Sequence, residues 1–226
     1  MSTEFIHSQA SQLQAQINSI KEKEDVDQNS RICVATKYAD IEQTKALYDC
    51  SFRIFGENRL QEALKKQDAL RHLTDIEWHF IGHIQSNKIN KIVDNFHVIQ
   101  SIDSLDKLRK INNYASRTNK AVTGFIQVNI GNDENKFGFS KEEVLSKHKE
   151  IFSFSNVRIQ GIMIILPLVE SSESKEQWFK ESKKLFDQLK QDYQLSELSM
   201  GMSNDYKEAI RCGSTLLRIG RLLFKQ

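Results

Sequence analysis

The stretch RICVATKYAD, residues 31–40, decides how the whole chain is read. Ile32, Cys33, Val34 and Ala35 are the β-branched and small apolar residues of a covered strand. Thr36-Lys37-Tyr38 turns polar, and from Asp40 onward the spacing is helical. A strand, a polar turn and a helix make one βα unit. The lysine at the turn admits two readings. It snorkels to water, as most strand-end lysines do, or it sits in a dry pocket with a lowered pKa, set to attack a carbonyl.

Outward from this unit the pattern repeats. Apolar runs fall at residues 32–37, 52–55, 76–81, 97–102, 122–130, 157–166, 196–200 and 214–219. Charged stretches with helical spacing fill 40–50, 57–71, 86–94, 104–118, 140–152, 172–192 and 204–212, and a short piece closes at 221–225. Strands alternating with helices imply parallel pairing through right-handed crossovers. Eight units within 226 residues predict a single α/β domain, a (β/α)8 TIM barrel over residues 31–224. An extra amphipathic helix, about residues 3–23 within the N-terminal segment 1–24, precedes the first strand. An open doubly wound sheet is the alternative, but its G-x-G-x-x-G turn is absent, and so is G-x-x-x-x-G-K-[ST]. On 172–192, Trp178, Phe179, Leu185, Phe186 and Leu189 read as core-facing rather than as a docking surface.

Composition narrows the function classes. Formal net charge is +2 and the basic residues are interleaved with acids, which argues against an electrostatic nucleic-acid binder. Cys33, Cys50 and Cys212 have no paired spacing and fit a reducing compartment, neither a disulfide framework nor a metal site. The N-terminus lacks an apolar signal core, and no run approaches the ~18 apolar residues of a membrane span. A cytoplasmic monomer is the expectation.

In such a barrel, chemistry gathers where strands finish. Those positions hold Lys37, the GENR run Gly56–Arg59, Gly82-His83, Ser101, Asn129, Gly201–Ser203 and Arg218–Gly220. Ser203 reads as the N-cap of a helix over 204–212, and Gly220 as a turn before another helix start. Two such turns side by side suit an anion, because free N–H groups at helix starts favour negative charge. Structural turns alone are the plainer alternative. Alternation along the last strand sets Arg218 and Gly220 on one face, so Arg218 points into the barrel mouth or pairs with a carboxylate. A strand-end lysine, an anion cradle and an inward arginine together suit pyridoxal 5′-phosphate (PLP).

The runs ATKY, FGENRLQEA, WHFIGHIQSNK, VNIGNDENKFGF, GIMIILP and LSMGMSNDYKEAIRCGSTLLRIG closely resemble motifs of the pyridoxal-phosphate homeostasis protein family, over about residues 31–224. Such proteins look like the barrel half of alanine racemase. The resemblance implies PLP as a Schiff base on Lys37, Ser203, Gly220 and the backbone of Arg221 around the phosphate, Arg218 at the pyridine nitrogen, and Asn58 in the pocket. It implies a role in PLP supply with no established catalysis, and apo PLP-dependent enzymes as partners. Three positions depart from the family pattern: Tyr38-Ala39 where a proline is usual, Arg221 where threonine is frequent, and a C-terminal LLFKQ without the usual glycine. His79 and His83 belong to a family motif, but a zinc pair across a strand and a glycine turn is not expected.

Two enzymatic alternatives stand beside carriage. A barrel aldolase would use Lys37 alone. A racemase needs a base on each face of the substrate carbon; in alanine racemase the partner tyrosine comes from a second domain, which is not expected here. Tyr38 is expected on the strand face opposite Lys37, leaving Tyr206 as the other tyrosine near the mouth.

Overall fold

The computed structural model describes residues 2–24, 26, 30–167 and 171–224. Eight parallel strands close into a barrel in sequence order, with β8 pairing back onto β1. They are β1 (Arg31–Ala35), β2 (Ile54–Glu57), β3 (Glu77–Phe80), β4 (Val98–Ile102), β5 (Val122–Asn129), β6 (Val157–Ile165), β7 (Glu197–Met202) and β8 (Leu216–Ile219). Before them lies α1 (Thr3–Lys23), and between them run α2 (Ile41–Asp49), α3 (Leu60–Ala69), α4 (Ile89–Asn95), α5 (Leu105–Arg117), α6 (Lys141–Ile151), α7 (Ser172–Tyr193) and α8 (Tyr206–Arg211). The short α9 (Arg221–Phe224) follows β8. The expected barrel is the observed one. Of the closing stretch, Lys225 and Gln226 lie outside the described residues.

Local chemistry sets the helix starts. Asp40 and Gln43 form a reciprocal capping box on α2, as Ser140 and Glu143 do on α6. The Ser104 and Ser171 hydroxyls cap α5 and α7. One sequence expectation fails here. The helix after β7 begins at Tyr206, with Asp205 rather than Ser203 at its N-cap position, and the Asp205 carboxylate accepts the Met202 N–H at 2.5 Å. That bond holds the chain in a turn for three residues past the strand.

Two apolar layers meet at the sheet. Inside the barrel, Cys33, Ile54, Val98, Phe125, Met163 and Leu216 pack together. Outside, the larger core joins sheet to helices, and Phe179, Leu185, Phe186 and Leu189 of α7 face it as expected, with Trp178 half-buried at its margin. At the strand starts Arg31 reaches Glu197 at 2.7 Å, closing the floor.

The extra helix belongs to this core. Ile6, Ala10, Leu13 and Ile17 make one buried stripe of α1 that packs across α2, α8 and α9. Tyr206 donates to Gln16 Oε1 at 2.6 Å, tying α8 to α1. Ile17 has no exposed surface, so Ile17→Ala is expected to cost about 2–5 kcal/mol, read as a lower midpoint in chemical denaturation with an unchanged denaturant slope.

Candidate functional site

Lys37 lies just past β1, in a tight turn of Thr36, Lys37 and Tyr38. Thr36 is buried, whereas Lys37 and Tyr38 are exposed. The dry-pocket alternative therefore fails: the amine opens into a cavity of about 300 Å³ walled by Tyr38, Glu57, Asn58, Arg59 and Glu62. The turn also overturns the expected place of Tyr38. Strand alternation ends at Ala35, and the turn brings the Tyr38 ring to 4.9 Å from Lys37 Nζ, close enough for a cation–π contact. Tyr206 is buried against α1 instead of reaching the mouth.

Asn58, at the end of β2, is pressed against the next loop. A Cβ on Gly82 would stand 2.2 Å from the Asn58 carbonyl oxygen, so only glycine allows this approach. Asn58 lines the cavity, and its Oδ1 is buried with no hydrogen-bond partner among the described residues.

The ends of β7 and β8 close the other side of the Lys37 turn. Ser203 Oγ accepts from the Gly220 and Leu222 N–H groups at 3.3 and 3.4 Å. The hydroxyl thus meets the start of α9 rather than capping α8. Gly220 passes so near β1 that a Cβ there would lie 3.2 Å from the Ala35 carbonyl oxygen. Arg221 is exposed at the first position of α9. Ser203, Gly220 and Arg221 are thus brought together beside β1, as an anion cradle requires.

Below Gly220, Arg218 is buried inside the barrel and held by oxygens rather than by a carboxylate. It donates to Ser199 O at 2.7 Å, Ser199 Oγ at 2.9 Å and Ile164 O at 2.8 Å. A register shift between Ser199 and Met202 aligns Met202 with Arg218 and frees the Ser199 carbonyl for this contact. The chain of bonds continues inward. Ser199 Oγ donates to Gln100 Oε1 at 2.7 Å, and Gln100 Nε2 meets His79 Nδ1 at 2.6 Å. An amide N–H can only donate, so the neutral His79 ring carries its proton on Nε2, 3.0 Å from Glu77 Oε1 but off the line of a good hydrogen bond. Burial lowers the pKa of Arg218 and of His79, the latter despite Glu77. Cys33, paired in register with Arg218, is pushed up to about 12 by burial and stays a neutral thiol.

His83 stands apart from this chain of bonds. Its ring stacks on Phe137 with centroids 3.9 Å apart, and Nδ1 is 3.6 Å from Asp103. No cluster of three or more His, Cys, Asp or Glu able to hold a metal occurs among the described residues.

Residues 9–226 match the family model described as the alanine racemase N-terminal domain, and the chain belongs to that family. Its relatives are more particular. It is 42% identical over 196 residues to the "Pyridoxal phosphate homeostasis protein" of Synechocystis, covering 86% of this chain and 90% of that one. PipY of Synechococcus elongatus, solved with PLP bound, superposes with a TM-score of 0.86 at 29% identity, covering 97% of this chain and all of that one. An alanine racemase of Clostridium difficile shares the fold, with a TM-score of 0.75 at 16% identity; 95% of this chain covers 56% of that one.

Sequence reasoning missed the buried polar chain His79–Gln100–Ser199. Its trace in the sequence is a polar residue at an inward position of each of three strands, His79, Gln100 and Ser199. A neutral buried histidine has a sign in stability. The folded state holds the His79 pKa below its ordinary 6.5, so the folded form binds fewer protons than the unfolded one just below that pH. The unfolding free energy is therefore expected to be full above about pH 6.5 and to fall as the pH drops further. His79→Asn, which keeps an acceptor for Gln100, is expected to flatten part of that slope in denaturation series run at several pH values.

Proposed function

We propose that this chain binds PLP on Lys37 as a Schiff base and serves intracellular PLP homeostasis and carriage rather than turnover of a substrate. One observation carries the reading: an exposed lysine just past β1 sits beside an N–H and hydroxyl cradle at the β8 end, with a buried arginine one pleat below. The parts fit the cofactor. The Lys37 amine takes the aldehyde carbon. Ser203, the Gly220 N–H and the start of α9 at Arg221 take the phosphate, and the exposed Arg221 side chain adds positive charge there. Arg218 would meet the ring nitrogen, and Asn58 would stand in the pocket wall.

Bound PLP supplies an exchangeable aldehyde carbon and an electron-withdrawing ring. Arg218 limits the second property. A guanidinium has no lone pair to offer and keeps its protons, so it leaves the ring nitrogen unprotonated and the ring a poor electron sink. The tyrosines favour carriage too. Racemisation needs acid–base groups on both faces of one carbon. Tyr38 and Lys37 rise from the same three-residue turn, and Tyr206 is committed to Gln16 on α1. The open, polar cavity lets a free amine reach Lys37 and exchange the aldehyde, which suits delivery to apo PLP-dependent enzymes. The names of the relatives support the same role. A cytoplasmic setting accords with three cysteines, none of them bridged.

The purified protein is expected to gain a visible absorption band with PLP and, after borohydride reduction, a pyridoxyl adduct mapped by peptide mass to Lys37. Lys37→Ala is expected to lose both, and a band that survives this substitution overturns the assignment. Ser203→Ala is expected to weaken PLP retention by about 1–2 kcal/mol, measured as a faster off-rate; an unchanged off-rate moves the phosphate elsewhere.

A further inference from the structure

The turn that carries Lys37 is held from beneath by two buried charges. Glu57, the last residue of β2, and Lys66, on α3, form an ion pair at 2.6 Å with side chains 0% and 7% exposed. Both also bond Thr36, the residue before Lys37. Thr36 Oγ1 donates to Glu57 Oε1 at 2.5 Å, and Lys66 Nζ donates to the Thr36 carbonyl at 2.6 Å. The same carbonyl accepts the Ala39 N–H that closes the turn, at 2.9 Å.

We propose that Glu57 and Lys66 act as a clamp on Thr36 that positions Lys37 to bond the cofactor's aldehyde, an inference that rests on Lys37 being the cofactor lysine. Three physical points carry it. First, a buried ion pair is a poor source of stability, since apolar side chains of similar volume often do as well or better. What the charged pair adds is direction: three donors, from α3 and the turn, make four bonds to one carboxylate oxygen of β2 and one carbonyl of the turn. Second, the pair is neutral as a whole, so it anchors the turn without setting a net charge beside the amine. Third, Lys37 itself is exposed and makes no hydrogen bond to the chain among the described residues. Its reach into the cavity is set by the backbone of the turn, and that backbone is fixed by Thr36. Glu57 lines the same cavity, so the clamp lies directly in the wall that the ligand meets. Glu57 and Lys66 are positioning residues: neither is asked to touch the reacting atoms. The bond concerned joins Lys37 Nζ to the aldehyde carbon, and the aldehyde oxygen leaves as water with the two protons of the neutral amine.

The test separates placement of the amine from binding of the ligand. Wild-type protein, Thr36→Val and Thr36→Ser are mixed with PLP, quenched with borohydride at timed intervals, and scored for the Lys37 adduct by peptide mass. Binding of pyridoxamine 5′-phosphate, which has the ring and phosphate but no aldehyde, is measured in parallel. Valine keeps the shape of threonine and leaves the Glu57–Lys66 pair intact. Thr36→Val is expected to slow adduct formation about tenfold, the rate equivalent of one lost hydrogen bond, with pyridoxamine phosphate affinity within twofold of wild type. Thr36→Ser, which restores the hydroxyl, is expected to restore the rate. The double substitution Glu57→Gln with Lys66→Met removes the bond from α3 to the Thr36 carbonyl without leaving a buried charge unpaired, and is expected to show the same selective slowing. A wild-type rate in either folded variant, or an equal loss of adduct formation and pyridoxamine phosphate affinity, overturns the clamp. Wild-type protein that forms no Lys37 adduct overturns the cofactor reading instead, so the two failures are distinct.

Discussion

The guanidinium of Arg218 is the constraint around which the barrel interior is arranged. A permanent charge in a closed sheet has to be met by oxygens. The structure supplies them from two neighbouring regions of backbone, the Ile164 and Ser199 carbonyls, and from one hydroxyl. To free the Ser199 carbonyl, the β7–β8 register must slip, and it does so beside the site. To orient the Ser199 hydroxyl, Gln100 must accept from it, and Gln100 in turn fixes the tautomer of His79. The chain of bonds that meets this one charge takes polar residues from β3, β4 and β7, while Cys33, Ile54, Val98, Phe125, Met163 and Leu216 pack beside it. The mouth and the packed interior are joined by this one chain of hydrogen bonds, which ends at His79.

The same economy governs the mouth. Lys37 follows β1 and Gly220 follows β8, strands that are neighbours only because the barrel closes, and Ser203 follows β7, which pairs with β8. An open sheet with these strands at its two edges would hold the lysine and the cradle apart. Closure is therefore a requirement of the proposed site as well as of the fold, and the close approach of Gly220 to Ala35 marks the seam where the two meet.

Most of the fold was legible in the sequence because its signal is periodic. Eight apolar runs separated by amphipathic stretches leave few topologies, and the eight strands and their helices fall where the spacing placed them, including α1 at Thr3–Lys23. Local geometry was less legible. Tyr38 was placed by strand alternation, yet the strand stops at Ala35 and a turn takes over, a change decided by Thr36 bonding across to β2. Ser203 reads like an N-cap in isolation, but Asp205 fills that position and the serine turns to the next strand's loop. In the proposed site, Lys37 and Arg218 stand out by residue type and position. Glu57 and Lys66 could not, because a glutamate in a glycine turn and a lysine on a charged helix look like ordinary solvent-facing residues. Only the tertiary fold shows that both are buried and paired.

The seating of α1 has a consequence for how the molecule is made. Part of its apolar stripe rests on α2, which emerges soon after it, but the rest lies on α8 and α9, some two hundred residues downstream. During synthesis this helix has to wait with its Ile and Leu side chains half covered until the last βα units arrive, and the loop it then closes is nearly the length of the chain. A segment that leaves the ribosome long before α8 and α9 thus settles only once they arrive, and for that interval its greasy face is what chaperones and neighbouring chains would meet.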